Sequence, residues 1–269
     1  MNVKRTAVLW AGLALSGAVA AAPSAPAAKE KSAKEIRSCM SENLIRRAAL
    51  RDLTLGVHDK EGKIRDLKLK LYWKPSAKGG TRVLLRLVEP VAMAGSSYLL
   101  IQEGANEEVY FALPGADRAL RITGQNMSEP LWGTDFSYGE IKQVMGLLVA
   151  GETQKLADAS AGGRSSYVLE TATRIEETGY RKVVSYVDQA SCVLLKSDFV
   201  AAGETPRKVL EGDVSTLLQA DKYWTLLGYT MRDLSRGTYT TLALSDLTVD
   251  ERLSERLFNP KEFFLPPRK

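Results

Sequence analysis

From Leu53 onward the sequence alternates apolar and polar residues with a period of two, segment after segment. That period places one apolar and one polar face on an extended chain, which is the geometry of a half-buried β-strand. Leu53, Leu55 and Val57 alternate with Thr54, Gly56 and His58. Leu67, Leu69, Leu71 and Trp73 alternate with Lys68, Lys70 and Tyr72. Val83, Leu85 and Leu87 alternate with Arg82, Leu84 and Arg86. Shorter strands are predicted over 98–102, 109–113 and 119–122. A hairpin around Gly162-Gly163 follows, then strands over 181–188, 193–200 and 207–211. A last hairpin, 227–234 with 239–250, turns at Ser235-Arg236-Gly237. About twelve or thirteen short strands at regular spacing predict an antiparallel sandwich or barrel.

Two stretches depart from this rhythm. Glu35 to Leu50 carries Ile36, Cys39, Met40, Leu44 and Arg47 at three- and four-residue steps, predicting an N-terminal helix. Residues 123–136 have no clean period. Ser137-Tyr138-Gly139-Glu140 then fits a capping box, and Ile141, Val144, Met145 and Leu148 follow at helical steps. This predicts a short amphipathic helix that covers a cavity or, in the plainer alternative, caps the sheet edge. A second short helix is expected over 252–258.

The first residues have the grammar of an export signal. Lys4 and Arg5 precede the uncharged run Thr6–Val19, and Ala18-Val19-Ala20 is a small-residue cleavage site. The run is short for a membrane span, which needs roughly 20 residues. The expectation is a signal peptide over 1–20 and a periplasmic protein, with an N-terminal anchor as the alternative. Residues 21–34 are rich in Ala, Pro, Ser and Lys and read as a flexible arm. Residues 35–269 then read as one β domain. In an oxidising compartment Cys39 and Cys192, the only two cysteines, are expected to pair; two buried free thiols are the alternative.

Composition narrows the chemistry. The net charge is +5, and Lys4 and Arg5 of the leader account for part of it. No basic stripe for nucleic acid stands out. A single His, His58, argues against a His-rich metal site and a Ser-His-Asp hydrolase. Ser96-Ser97 after Gly95 do not form a nucleophile elbow. No cofactor, metal site or catalytic residue is expected.

The segment Leu131-Trp132-Gly133-Thr134-Asp135-Phe136-Ser137-Tyr138 resembles the G-T-D-F-S-Y motif of the outer membrane lipoprotein-sorting protein family. That group is similar in fold to the LolA/LolB lipoprotein carriers. Other landmarks follow in the family's order: Arg82 to Arg86 with Pro90, Tyr98 to Ile101, and Tyr186-Val187-Asp188 before Cys192 to Lys196. Met231 to Leu234, Gly237-Thr238, Thr240 to Leu242 and Phe258 to Phe263 complete the series. The resemblance runs from about Cys39 to Leu265. It implies a mainly β protein, an incomplete antiparallel β-barrel of LolA type with an N-terminal helix and a short helical lid.

It also implies a carrier or binding protein for lipoprotein acyl chains or another lipid, moving or presenting it between inner and outer membrane. An accessory subunit of an inner-membrane lipid exporter of the RND type, or a lipid hydrolase on the same fold, are the alternatives. The expected partners are an acyl chain and an inner-membrane transporter, with no nucleic acid. The chain is expected to be a monomer and not an integral membrane protein. The cavity and lid residues are expected to be Met127, Leu131, Trp132, Phe136, Ile141, Met145 and Leu148, since Met and aromatic side chains adapt to irregular apolar ligands. Leu69, Leu71, Leu85, Ile101 and Phe111, with Val83, Leu99 and Val109, are expected to face the same interior from the strands. Asp135 is expected to cap the helix or to hold the loop through backbone donors, and Asp188 to serve a turn.

Overall fold

The computed structural model describes residues 30–104 and 106–266. The expected signal peptide and most of the expected arm lie outside these residues. The first element is a helix, α1 (Ala33–Glu42). Ser32 caps it, and a reciprocal bond with Glu35 completes a capping box. The helix begins two residues earlier than expected and ends at Glu42, well short of Leu50, because Ala49 already opens the first strand.

The chain then meanders through β1 (Ala49–His58), β2 (Ile64–Pro75), β3 (Gly80–Glu89), β4 (Ser97–Glu103), β5 (Asn106–Ala112) and β6 (Leu120–Ile122). After a long crossing it resumes with β7 (Thr153–Ala161), β8 (Arg164–Ala172), a short helix α2 (Ile175–Thr178), β9 (Lys182–Asp188), β10 (Leu194–Val200) and β11 (Lys208–Gly212). A small hairpin follows, β12 (Leu217–Ala220) and β13 (Tyr223–Leu226). The described strands end with β14 (Gly228–Asp233), β15 (Thr238–Leu244) and β16 (Thr248–Val249).

All the main-sheet pairings are antiparallel, in the order β6-β5-β4-β3-β2-β1-β15-β14-β11-β10-β9-β8-β7, with β16 alongside β1. The sheet does not close into a barrel. β1 sits mid-sheet, with Leu55 opposite Leu67 of β2 and Leu242 of β15. This order explains the long irregular segment. β6 and β7 lie at opposite ends of the strand order, so residues 123–152 must travel from one to the other.

The two faces of the sheet bury different cores. Leu53, Leu55, Leu69, Leu71, Val83, Leu85, Tyr98 and Leu100 pack in the main core with Phe199, Leu210 and Met231. The opposite phase of the same strands, Leu84, Leu99 and Ala112, packs under Leu253, Phe258 and Phe263 of the C-terminal segment. The expected helix over 252–258 is there a 3-10 turn, Glu255–Phe258. Among the described residues no helix is long and apolar enough to cross a membrane.

Candidate binding cavity

The polar residues of the motif segment fasten it, and its apolar residues fill the main core. Thr134 Oγ1 donates to the Leu131 carbonyl at 2.8 Å, closing the turn that contains Trp132. Trp132 lies at φ 52, a left-handed conformation uncommon for a bulky residue. Arg65 Nη2 donates to the Trp132 and Gly133 carbonyls at 3.0 and 3.2 Å.

Asp135 neither caps a helix nor binds backbone donors through its carboxylate. It accepts from the hydroxyls of Thr238 and Thr240, the latter at 2.7 Å, tying the segment to β15. Its own N–H donates to Thr240 Oγ1 at 2.9 Å. Asp135→Ala would strand both hydroxyls and remove a charge-assisted anchor. The expected loss is about 2–3 kcal/mol of unfolding free energy in urea titration. A loss below about 0.5 kcal/mol would refute the anchoring role.

The expected capping box is present: the Ser137 N–H donates to Glu140 Oε2 at 2.8 Å, and the Glu140 N–H donates to Ser137 Oγ at 3.2 Å. The amphipathic helix it was expected to start is only a 3-10 turn, Ile141–Met145, ended by left-handed Gly146. Gly146 explains the shortness, since a left-handed residue closes a helix. Glu140 is also committed to tertiary partners. It pairs with Lys208 of β11 at 3.1 Å and accepts from the Tyr180 hydroxyl. Burial, reinforced by the Glu140 charge, pushes the Tyr180 phenol well up, so it stays a donor.

The candidate residues fall into three groups. Leu69, Leu71, Leu85, Phe111, Leu131, Trp132, Phe136, Ile141 and Leu148 are buried in the main core, and Met127 and Met145 pack against it. Ile101 does not join them: it packs in the second core on the opposite face, as does Leu99. Tyr98 and Leu100 take the inward positions instead. Tyr98-Leu99-Leu100-Ile101 is apolar in both phases, so its alternation cannot tell the faces apart.

A cavity of about 410 Å³ opens beside the crossing segment, not under it. Leu71, Trp73, Leu194, Tyr229 and Leu244 of the main sheet line one side. Met40 of α1, Leu44 just beyond it, and Val144 and Met145 of the crossing segment supply further walls. Leu218, Trp224 and Leu226 of the β12–β13 hairpin line the rest. Only Leu71 and Met145 of the twelve expected cavity residues reach this space. The volume falls in the range of small-molecule sites, roughly 300–1,000 Å³, and the lining is mostly apolar, as such sites are.

Two devices hold the walls together. Cys39 of α1 and Cys192, just before β10, form a disulfide with Cα atoms 5.8 Å apart, and Cys192 lines the cavity. Asn43, which ends α1, donates to the Ser191 carbonyl at 2.6 Å and accepts from the Trp224 N–H at 3.0 Å. One side chain thus joins the helix end, the disulfide turn and the small hairpin. Asp188 shapes that turn. Burial opposes its charge, yet bonds from Arg164 and from the Ser191 hydroxyl and N–H outweigh this and hold the carboxyl below its usual range.

A family model described only as uncharacterized protein-like matches residues 79–263. The chain belongs to that family. No curated protein matches it. Among solved structures, a DUF1329 family protein from Desulfovibrio piger is 19% identical, with a TM-score of 0.72 over 83% of this chain and 94% of that one. A domain described as an outer membrane lipoprotein-sorting protein, from Vibrio parahaemolyticus, is 23% identical, with a TM-score of 0.72 over 84% and 95%. A LolA superfamily protein from Nitrosomonas europaea is 17% identical, with a TM-score of 0.66 over 86% and 98%. This chain therefore shares the fold of those lipoprotein-sorting and LolA superfamily proteins, as the motif segment led us to expect.

Proposed function

We propose that this chain is a non-enzymatic carrier or binding protein that holds the acyl chain of a lipid or lipoprotein in the cavity beneath the β12–β13 hairpin. It would act in the periplasm, exported by the signal expected over residues 1–20. The observation that carries this reading is the mostly apolar cavity of about 410 Å³ on a fold shared with a lipoprotein-sorting domain. Each methylene moved from water into such a space contributes about 0.8 kcal/mol. A dozen buried methylenes thus supply ~10 kcal/mol before the costs of ordering the ligand are met. That affinity grows with chain length and reads little else, which suits a carrier. The candidate residues Met127, Leu131, Trp132, Phe136, Ile141 and Leu148 would act here as packing behind the cavity and as a surface able to yield to a longer chain.

Native mass spectrometry of the protein purified from its own periplasm, with lipid extraction, tests the proposal. A co-purifying acylated molecule is the expected result. Its consistent absence, with no exchange of a fluorescent fatty acid, would overturn the reading. A cavity-filling variant adds a second measurement. Leu244→Trp should weaken binding of that probe about tenfold, the equivalent of two displaced methylenes, at unchanged secondary structure. Unaltered affinity in a folded Leu244→Trp protein would place the probe elsewhere.

A further inference from the structure

One residue in the cavity is out of keeping with its surroundings. Arg51 is on β1 in phase with Ala49, Leu53 and Leu55, the side that faces the main core. Its register partner on β2 is Leu71, and both line the cavity. It is only 8% exposed, and its Nε has no hydrogen-bond partner. The other strongly buried cations among the described residues are paired. Lys208 has Glu140 at 3.1 Å, and Lys142 has Glu107. Burying a guanidinium without a partner is costly, and a fold that pairs its other buried cations leaves this one open.

The cavity around Arg51 offers little to neutralise it. Burial works against its charge, and Asp246, in the cavity lining, opposes that electrostatically without a hydrogen bond. Tyr229 is itself deeply buried, and burial raises its phenol, so its hydroxyl stays protonated and able to donate. Arg47, also in the lining, is exposed and already paired with Glu251 at 2.8 Å. A guanidinium presents a planar fork of N–H donors that matches the two oxygens of a carboxylate or phosphate.

We propose that the ligand of this cavity is an acyl-chain amphiphile with an anionic head, carboxylate or phosphate, and that Arg51 holds that head while the apolar lining holds the chain. This rests on the acyl-chain reading above and adds the head-group chemistry to it. Tyr229 supplies a second donor to the same head. The unpaired cation in the empty protein then becomes a selectivity device: a neutral chain of equal length fills the apolar space but leaves Arg51 unmatched.

The test uses the delipidated full mature protein at pH 8. Palmitate, hexadecyl phosphate, hexadecanol and methyl palmitate are titrated by displacement of a fluorescent probe. Acetate and inorganic phosphate are titrated as heads without a chain. One or both anionic amphiphiles should bind at least about tenfold tighter than both neutral ones, the step expected for a charge-assisted bidentate contact. Whichever binds tighter names the head. Arg51→Met should bring the ratio to about one, and Arg51→Lys should leave it intermediate. Equal affinity for charged and neutral chains in the unaltered protein, or a ratio that survives Arg51→Met, would overturn the proposal. So would inorganic phosphate or acetate binding as tightly as the long-chain anions. If no long-chain probe binds at all, the acyl-chain reading itself falls. The melting temperature of the empty protein provides an independent control. Arg51→Met should hold or raise it, because an uncompensated buried charge is removed; a marked drop would assign Arg51 to the fold and overturn its role toward a ligand.

Discussion

Breaking the Cys39–Cys192 bond is expected to cost about 3–5 kcal/mol of stability and to lower the melting temperature by about 10 °C. The bond joins residues 153 positions apart, so its loss releases a long loop in the unfolded chain. The native state feels it locally as well. Cys39 is in the ten-residue helix α1, which packs on the main core through Ile36 and Met40. Asn43 then has to hold the helix end against Ser191 and Trp224 alone. Calorimetry of the Cys39→Ser, Cys192→Ser double variant, or of the unaltered protein with a non-thiol reductant, gives the number. Hydrogen exchange should show α1 and the β12–β13 hairpin loosening first, because both wall the cavity. An unchanged melting temperature would overturn this. So would labelling of both thiols by alkylation of the unreduced, denatured protein.

The sheet was largely legible in the sequence because its strands state their faces. Leu67-Lys68-Leu69-Lys70-Leu71 can be buried on only one side, and the structure buries the leucines. The motif segment gave away its capping box through Ser137 and Glu140. The walls of the cavity were harder to see, for identifiable reasons. The β12–β13 hairpin turns through Asp221-Lys222, not through the Asn-Gly or Asp-Gly pair that usually announces a two-residue turn. Asp221 adopts the left-handed conformation, at φ 53, that a glycine would ordinarily mark. Arg51 left a clearer trace. The phase of Leu53, Leu55 and Val57 runs back through Arg51 to Ala49, so a charge stands on the buried side of β1. That signal was readable once the strand was extended four residues toward the N-terminus. What no alternation could supply was the strand order. The crossing over 123–152 fills the core because β6 and β7 occupy opposite ends of the sheet, and only long-range pairing decides that.

Lys208→Met is expected to destabilise the protein by about 3–5 kcal/mol, comparable to loss of the disulfide, although it removes one amine. Lys208 is 4% exposed and Glu140 is 3% exposed, so the carboxylate left behind would be buried without its cation. Lys208 Nζ also donates to the Asp135 carbonyl at 2.8 Å, and that acceptor is stranded too. The Tyr180 hydroxyl and the Ser137 N–H still donate to Glu140, but neither carries a charge. Removing both ionic partners should therefore hurt less than the two single losses together. A double-mutant cycle with Glu140→Gln measures this coupling, expected at about 1–3 kcal/mol. Additive losses would mean that the pair does not act as a unit. The consequence reaches the cavity, because the corner at 137–140 leads directly into Val144 and Met145 on its wall. Freed from β11, that corner should let the wall fluctuate. Lys208→Met should then exchange a bound fatty-acid probe faster than the unaltered protein at a temperature where both remain folded. A slower or unchanged rate would separate the stability of the motif segment from the opening of the cavity.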